Sequence, residues 1–132
     1  MKALCVDPAL MDQVWPLVEN LVRKGISYGC EDYEQTKKNV FMGLSLLWLA
    51  YDGKQIKGIA ITGLFGDACE IIVAAGTDFH SWRHLIYDLE AHARDENRQR
   101  MRLIGRRGWQ RLLKEYKPVA NVGDLIMLER PL

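Results

Sequence analysis

"LIGRRGWQRLLKEYKP", residues 103–118, is the stretch on which the fold turns. An apolar end, Leu103-Ile104, stops at Gly105; Arg106, Arg107, Gly108 and Trp109 follow, and a helical pattern begins. Trp109, Leu112, Leu113 and Tyr116 recur at helical spacing, which gives that helix one apolar side. The glycines permit close backbone approach where strand hands over to helix, and Trp109 is read as the core anchor of the helix. The two arginines then face the mouth of a cleft, or pair with a carboxylate elsewhere, such as Glu90 or Glu115.

Upstream, "RMRLIG" (100–105) reads as a strand, and a helix of about twenty residues is expected before it, starting near Phe79 to Ser81. Trp82, Leu85, Ile86, Leu89 and Ala93 form its apolar stripe. Before that helix, "ACEIIVAAG" (68–76) is an apolar run suited to a strand buried on both faces. A crossover of this length makes the strands at 68–76 and 100–105 parallel. Ligands of such sheets bind outside the carboxyl ends of the parallel strands. That places a site at "VAAGTDFHSW" (73–82) and "IGRRGW" (104–109).

The remaining segments complete the order. "ALCVD" (3–7) predicts a short strand, and Asp7-Pro8 starts a helix that runs to about Lys24 and stops at Gly25. Its apolar face holds Leu10, Met11, Val14, Val18, Leu21 and Val22. A second helix is expected over 31–44. "LLWLAYDGKQIKGIAITGLFG" reads as an antiparallel hairpin turning at Asp52-Gly53. "GDLIMLERP" (123–131) is the last strand. The expected class is an α/β domain spanning 1–132: a mixed sheet with helices on both sides, in three layers.

Composition narrows the function classes. With 48% apolar and 27% charged residues the chain reads as an ordinary soluble domain. No run approaches the ~20 apolar residues that span a bilayer, and "MKALCVDPAL" lacks a secretory pattern. Cys5, Cys30 and Cys69 are widely spaced and odd in number, which points to reduced thiols and a cytoplasmic setting. Residues 79–118 hold ten Lys/Arg against five Asp/Glu, a basic segment suited to an anionic ligand. Nucleic-acid binding through this segment ranks third among the function classes, and Trp82 reads as packing rather than a base-stacking platform because no second exposed aromatic accompanies it at a nucleic-acid-binding spacing. His80 and His84 stand at a two-ligand metal spacing, but no third ligand is near, so no metal is expected.

This element order, with these two loops, resembles the GNAT superfamily of acyl-CoA-dependent N-acyltransferases. It looks closest to small GNAT-like proteins of phages and prophages, through Trp82, Glu90 and Ala93 and then Gly105, Arg106, Gly108, Trp109, Arg111 and Leu113. The resemblance implies an N-acetyltransferase that uses acetyl-CoA and an amine acceptor, either a small molecule or a protein. It also admits a non-catalytic virion or internal head protein, working with other virion proteins. The implied cofactor residues are Ile72, Val73, Ala74, Gly76, Thr77, His80, Ser81 and Arg106. The pantetheine arm would lie along 70–75 and the pyrophosphate at the start of the next helix.

Glu70 is the implied general base, with a strand-end carboxylate in solvent or paired with arginine as the other reading. Two features depart from the family pattern. Its Q/R-x-x-G-x-G/A loop is represented only by Gly76, and Asp78 brings a negative charge beside the expected phosphates or else caps the helix. The usual helix tyrosine falls at Leu112 or Leu113, with Tyr116 about a turn later.

Overall fold

The computed structural model describes residues 2–132, built around one seven-stranded sheet. Strand β1 (Lys2–Cys5) leads into a 3-10 turn (Pro8–Leu10), capped by the Asp7 carboxylate, which accepts from Ala9 N at 2.9 Å. Helix α1 (Met11–Ser27) passes through Gly25 instead of stopping there. A Cβ at Gly25 would lie 2.6 Å from Val73 Cγ1, so glycine serves close packing on the sheet rather than termination. Leu10, expected on the apolar face, is exposed because it belongs to the turn. Helix α2 (Tyr33–Phe41) is shorter than expected, since Asp32 caps it by accepting from Gln35 N.

Strands β2 (Leu46–Tyr51), β3 (Ile56–Phe65) and β4 (Ala68–Gly76) form the expected antiparallel run. The predicted single helix after β4 is two helices, α3 (Phe79–Trp82) and α4 (His84–Asp95), with Arg83 between them. Strand β5 (Arg100–Gly105) is parallel to β4. The helix expected after Gly108 is a single turn, α5 (Trp109–Leu112). Beyond it "KPVANV" forms strand β6 (Lys117–Val122), which the sequence pattern did not announce, and β7 (Leu125–Pro131) closes the chain. The sheet order is β1-β2-β3-β4-β5-β7-β6, so β7 lies between β5 and β6.

Side-chain alternation splits the core across the two sheet faces. On one face Leu47, Leu49, Ile59, Ile61 and Val73 meet Met11, Trp15, Val18 and Val22 of α1 and Val40 of α2. On the other, Trp48, Ala50, Cys69, Ile71 and Met101 meet Trp82, Leu85, Leu89 and Ala93. The three-layer mixed sheet is therefore the observed architecture. No helix among the described residues is long and apolar enough to cross a membrane.

One buried polar cluster ties the second face together. Glu90, 2% exposed, accepts from Tyr116 Oη at 2.7 Å and from Arg130 Nη1 at 2.8 and 3.0 Å. Arg130 also reaches Glu115 at 2.7 Å. Both carboxylates expected to serve Arg106 and Arg107 are thus taken by Arg130. Arg107 Nη2 instead donates to Asn121 Oδ1, and the Arg106 guanidinium lies 3.7 Å from the centre of the Tyr28 ring.

Candidate active site

The parallel pair is in register only over Ala68–Ile71 against Arg100–Leu103. Beyond that, β4 continues as Ile72–Gly76 and β5 as Ile104-Gly105, with β5 still paired to β7 on its other side. A bulge accompanies the parting. Ile61 faces Val73 while Thr62 faces Ile71, which leaves Ile72 as the extra residue on β4. Groups of Ile72–Gly76 that point away from β3 therefore have no strand partner, an edge open to an extended ligand.

A cleft of about 540 Å³ occupies the gap. Ile72, Val73, Ala74 and Gly76 line it along β4, and Ile104, Gly105 and Arg106 along β5. Gly25, Tyr28 and Gly29 approach from α1, and Phe79, Trp82 and Trp109 from the other face. Trp82 fits against two glycines: a Cβ on Gly58 would lie 2.6 Å from its ring, and one on Gly76 would strike Lys57 O. Phe79 stands edge-on between Trp82 and Trp109, with centroids at 4.8 and 5.3 Å. Trp109, expected in the core, is half-buried and serves as cleft wall, because α5 ends after one turn.

The other site candidates fall beside the cleft. Thr77 N donates to Lys57 O at 3.0 Å and Thr77 O accepts from Trp82 Nε1 at 3.1 Å, which leaves only its hydroxyl uncommitted. Ser81 Oγ donates to Asp78 O at 2.8 Å, and His80 is exposed. Asp78 has a left-handed backbone (φ 52°, ψ 72°), a strain of about 1–3 kcal/mol for a non-glycine residue. It occupies the cap position of α3, but its side chain makes no capping bond.

Glu70 lies in the paired part of β4, opposite Gly63 on one side and Arg102 on the other. Burial pushes its carboxyl above the usual range and Glu31 adds to the rise, against the pull of Arg102. The Tyr116 phenol is pushed far up by burial and by its hydrogen bond to Glu90, so it is locked as a donor inside the core. Cys69 is fully buried and its thiol is pushed up to about 11 by burial, which makes it a packing residue. Among the described residues no group of three or more His, Cys, Asp or Glu could hold a metal ion.

The cleft offers both main-chain and cationic partners to an extended ligand. The open main-chain edge offers partners to amides, the charged side chains of the lining are Lys24, Arg106 and Arg111, and no carboxylate is among them. A seven-stranded mixed sheet with helices on both faces matches the fold of the GNAT acetyltransferases. The likeness extends to PaiA N-acetyltransferase from Thermoplasma acidophilum in complex with coenzyme A, at TM-score 0.72 and 12% identity over 100% of both chains.

A GNAT family acetyltransferase from Elizabethkingia anophelis with acetyl-CoA bound superposes at 0.73 and 12% identity, over 99% of this chain and 97% of that one. A ribosomal-protein-alanine N-acetyltransferase from Brucella melitensis gives 0.69 and 15% identity, over 100% of both chains. No protein-family model matches the sequence, and no curated protein does. Nothing in these matches supports the expected kinship with phage proteins.

Proposed function

We propose that this chain, taken as one catalytic unit, is an N-acetyltransferase that moves the acyl group of acetyl-CoA to an amine. The observation that carries the reading is the parting of β4 from β5 after Ile71 and Leu103, beside an open main-chain edge. Acetyl-CoA supplies an acyl thioester. Ile72, Val73, Ala74 and Gly76 would hold its amide arm, and the turn from Thr77 to Ser81 with Arg106 would meet its phosphates. The α3 turn is short, so Arg106 and Arg111 carry more of the phosphate charge than a helix dipole does.

Catalysis by such a site rests on holding thioester and amine together in a narrow gap. Main-chain N–H groups near the Ile72 bulge would meet charge that develops on the acyl oxygen. Glu70, two residues below the bulge and biased toward holding a proton, is suited to take one from an ammonium or amine, directly or through water. The acceptor is a primary amine of a small molecule or of a protein.

Calorimetric titration with acetyl-CoA, followed by thiol-release assays over a panel of primary amines, tests this. Binding in the micromolar range with amine-dependent release of CoA is expected. Neither heat nor a thermal shift would remove the enzyme reading and leave the non-catalytic, virion-part alternative.

A further inference from the structure

We infer that Tyr28, at the end of α1, is a positioning residue for the cofactor's phosphates. Its ring holds the Arg106 guanidinium in the cleft and leaves the hydrogen-bond donors of that guanidinium free. The inference rests on the acetyltransferase reading, which gives Arg106 to the phosphates, and adds what aims that arginine.

The two residues come from opposite sides of the gap. Tyr28 follows the last turn of α1, with its N–H directed at Gly25 O and Ile26 O. Gly25 lies against β4, where a Cβ would be 2.6 Å from Val73 Cγ1 and 3.3 Å from Ala75 Cβ. The backbone that carries the ring is therefore fixed beside the open part of β4. Arg106 follows β5, past the point where the two strands part. Both residues line the cleft, and the guanidinium carbon lies over the Tyr28 ring, 3.7 Å from its centre.

The value of this contact is in what it leaves unspent. The ring face attracts the cation through the guanidinium carbon, without using an N–H group. The five N–H donors lie in the guanidinium plane, so an arginine held this way can still grip a phosphate bidentately. Arg106 makes no ion pair and no side-chain hydrogen bond among the described residues.

Other arginines are either committed or unheld. Arg107 donates to Asn121 Oδ1 at 3.0 Å and Arg83 to Leu112 O at 2.8 Å. Arg23 also lies over a ring, that of Tyr33 at 3.7 Å, but its Nε is bound to Glu19. Arg111, the other arginine of the lining, has neither an ion pair nor an aromatic contact among the described residues, so nothing aims it. The Tyr28 hydroxyl makes no hydrogen bond among the described residues, which leaves the ring face as the holding group. A free arginine surrenders rotamer freedom when it binds. One already held surrenders less, and the difference appears as affinity.

The test is calorimetric titration with CoA of the unaltered protein, Tyr28→Phe, Tyr28→Leu, Arg106→Leu and the double variant Tyr28→Leu/Arg106→Leu. Tyr28→Leu is expected to weaken CoA binding about five- to tenfold, while Tyr28→Phe, which keeps the ring, changes it by less than about twofold. In the Arg106→Leu background, Tyr28→Leu is expected to add less than about twofold, because the ring has no guanidinium left to hold. A Tyr28→Phe protein as weak as Tyr28→Leu would move the effect to the hydroxyl and overturn the inference. So would an undiminished loss in the Arg106→Leu background, which would make the ring a plain piece of wall, or no loss in Tyr28→Leu at all. Each of these leaves the acetyltransferase reading standing. An unaltered protein that binds no CoA overturns both.

Discussion

Arg130 on β7 and Glu90 on α4, forty residues apart in the chain, share a bidentate contact in which one guanidinium nitrogen donates to both carboxylate oxygens at 2.8 and 3.0 Å. The carboxylate is almost fully buried and its remaining capacity is met by the Tyr116 hydroxyl. This cluster fastens α4 to the far half of the sheet and pins the turn that leads from α5 into β6. α5, which lines the cleft through Trp109, Arg111 and Leu112, thereby keeps its place as a wall.

Removing the cation from that cluster leaves a buried charge without its partner. Arg130→Met is expected to cost about 3–5 kcal/mol, whereas Glu90→Gln, which still accepts hydrogen bonds, costs roughly 1–3. Urea denaturation of the two variants gives the comparison. Equal losses would show that the pair's charge is immaterial.

The raised carboxyl of Glu70 sets the acid side of activity. A base must be ionised to accept a proton, so kcat/KM should fall as pH drops through a value above the usual carboxylate range near ~4.3. Glu70→Gln should lose about 100-fold or more and flatten that limb. Glu31 raises the Glu70 carboxyl, so Glu31→Gln should shift the limb to lower pH. A limb unmoved in both variants would assign the base elsewhere.

Gly58 tests whether the Trp82 ring is held by backbone contact. A methyl there would sit 2.6 Å from two ring atoms, so Gly58→Ala must displace a buried indole. A loss of about 1–3 kcal/mol with a changed tryptophan emission spectrum is expected. Unchanged stability would mean that the ring yields freely.

The three thiols should separate by burial. Cys5 and Cys30 are exposed and Cys69 is fully buried, its thiol pushed up to about 11. A thiol-reactive dye should therefore label two cysteines in the native protein and the third only after unfolding. Native labelling of Cys69 would indicate opening of the β4 region.

Periodicity and length carried most of the architecture. The apolar run at 68–76, the stripe from Trp82 to Ala93 and the strand ending at Gly105 already implied a parallel pair with a crossover helix, and these elements stand where they were expected. Local patterns also place Gly76, Arg106 and Ile72–Ala74 near the carboxyl ends of those strands. Each of these readings depends on nearest neighbours in the chain, where backbone preference and side-chain alternation act directly.

What failed depended on partners distant in sequence. "KPVANV" has almost no buried residue and became a strand only because β7 offered it an edge. The helix over 79–99 broke at Arg83, whose Nη2 donates to Leu112 O, 29 residues further along the chain. Arg106 left Glu90 for Tyr28, because Arg130 filled the buried site first in space though last in sequence. Tyr28 entered the cleft by the same logic. Spacing along one helix cannot reveal which residue faces it from the opposite wall, so the sequence set the elements and their order, while long-range packing decided which side chains share the gap.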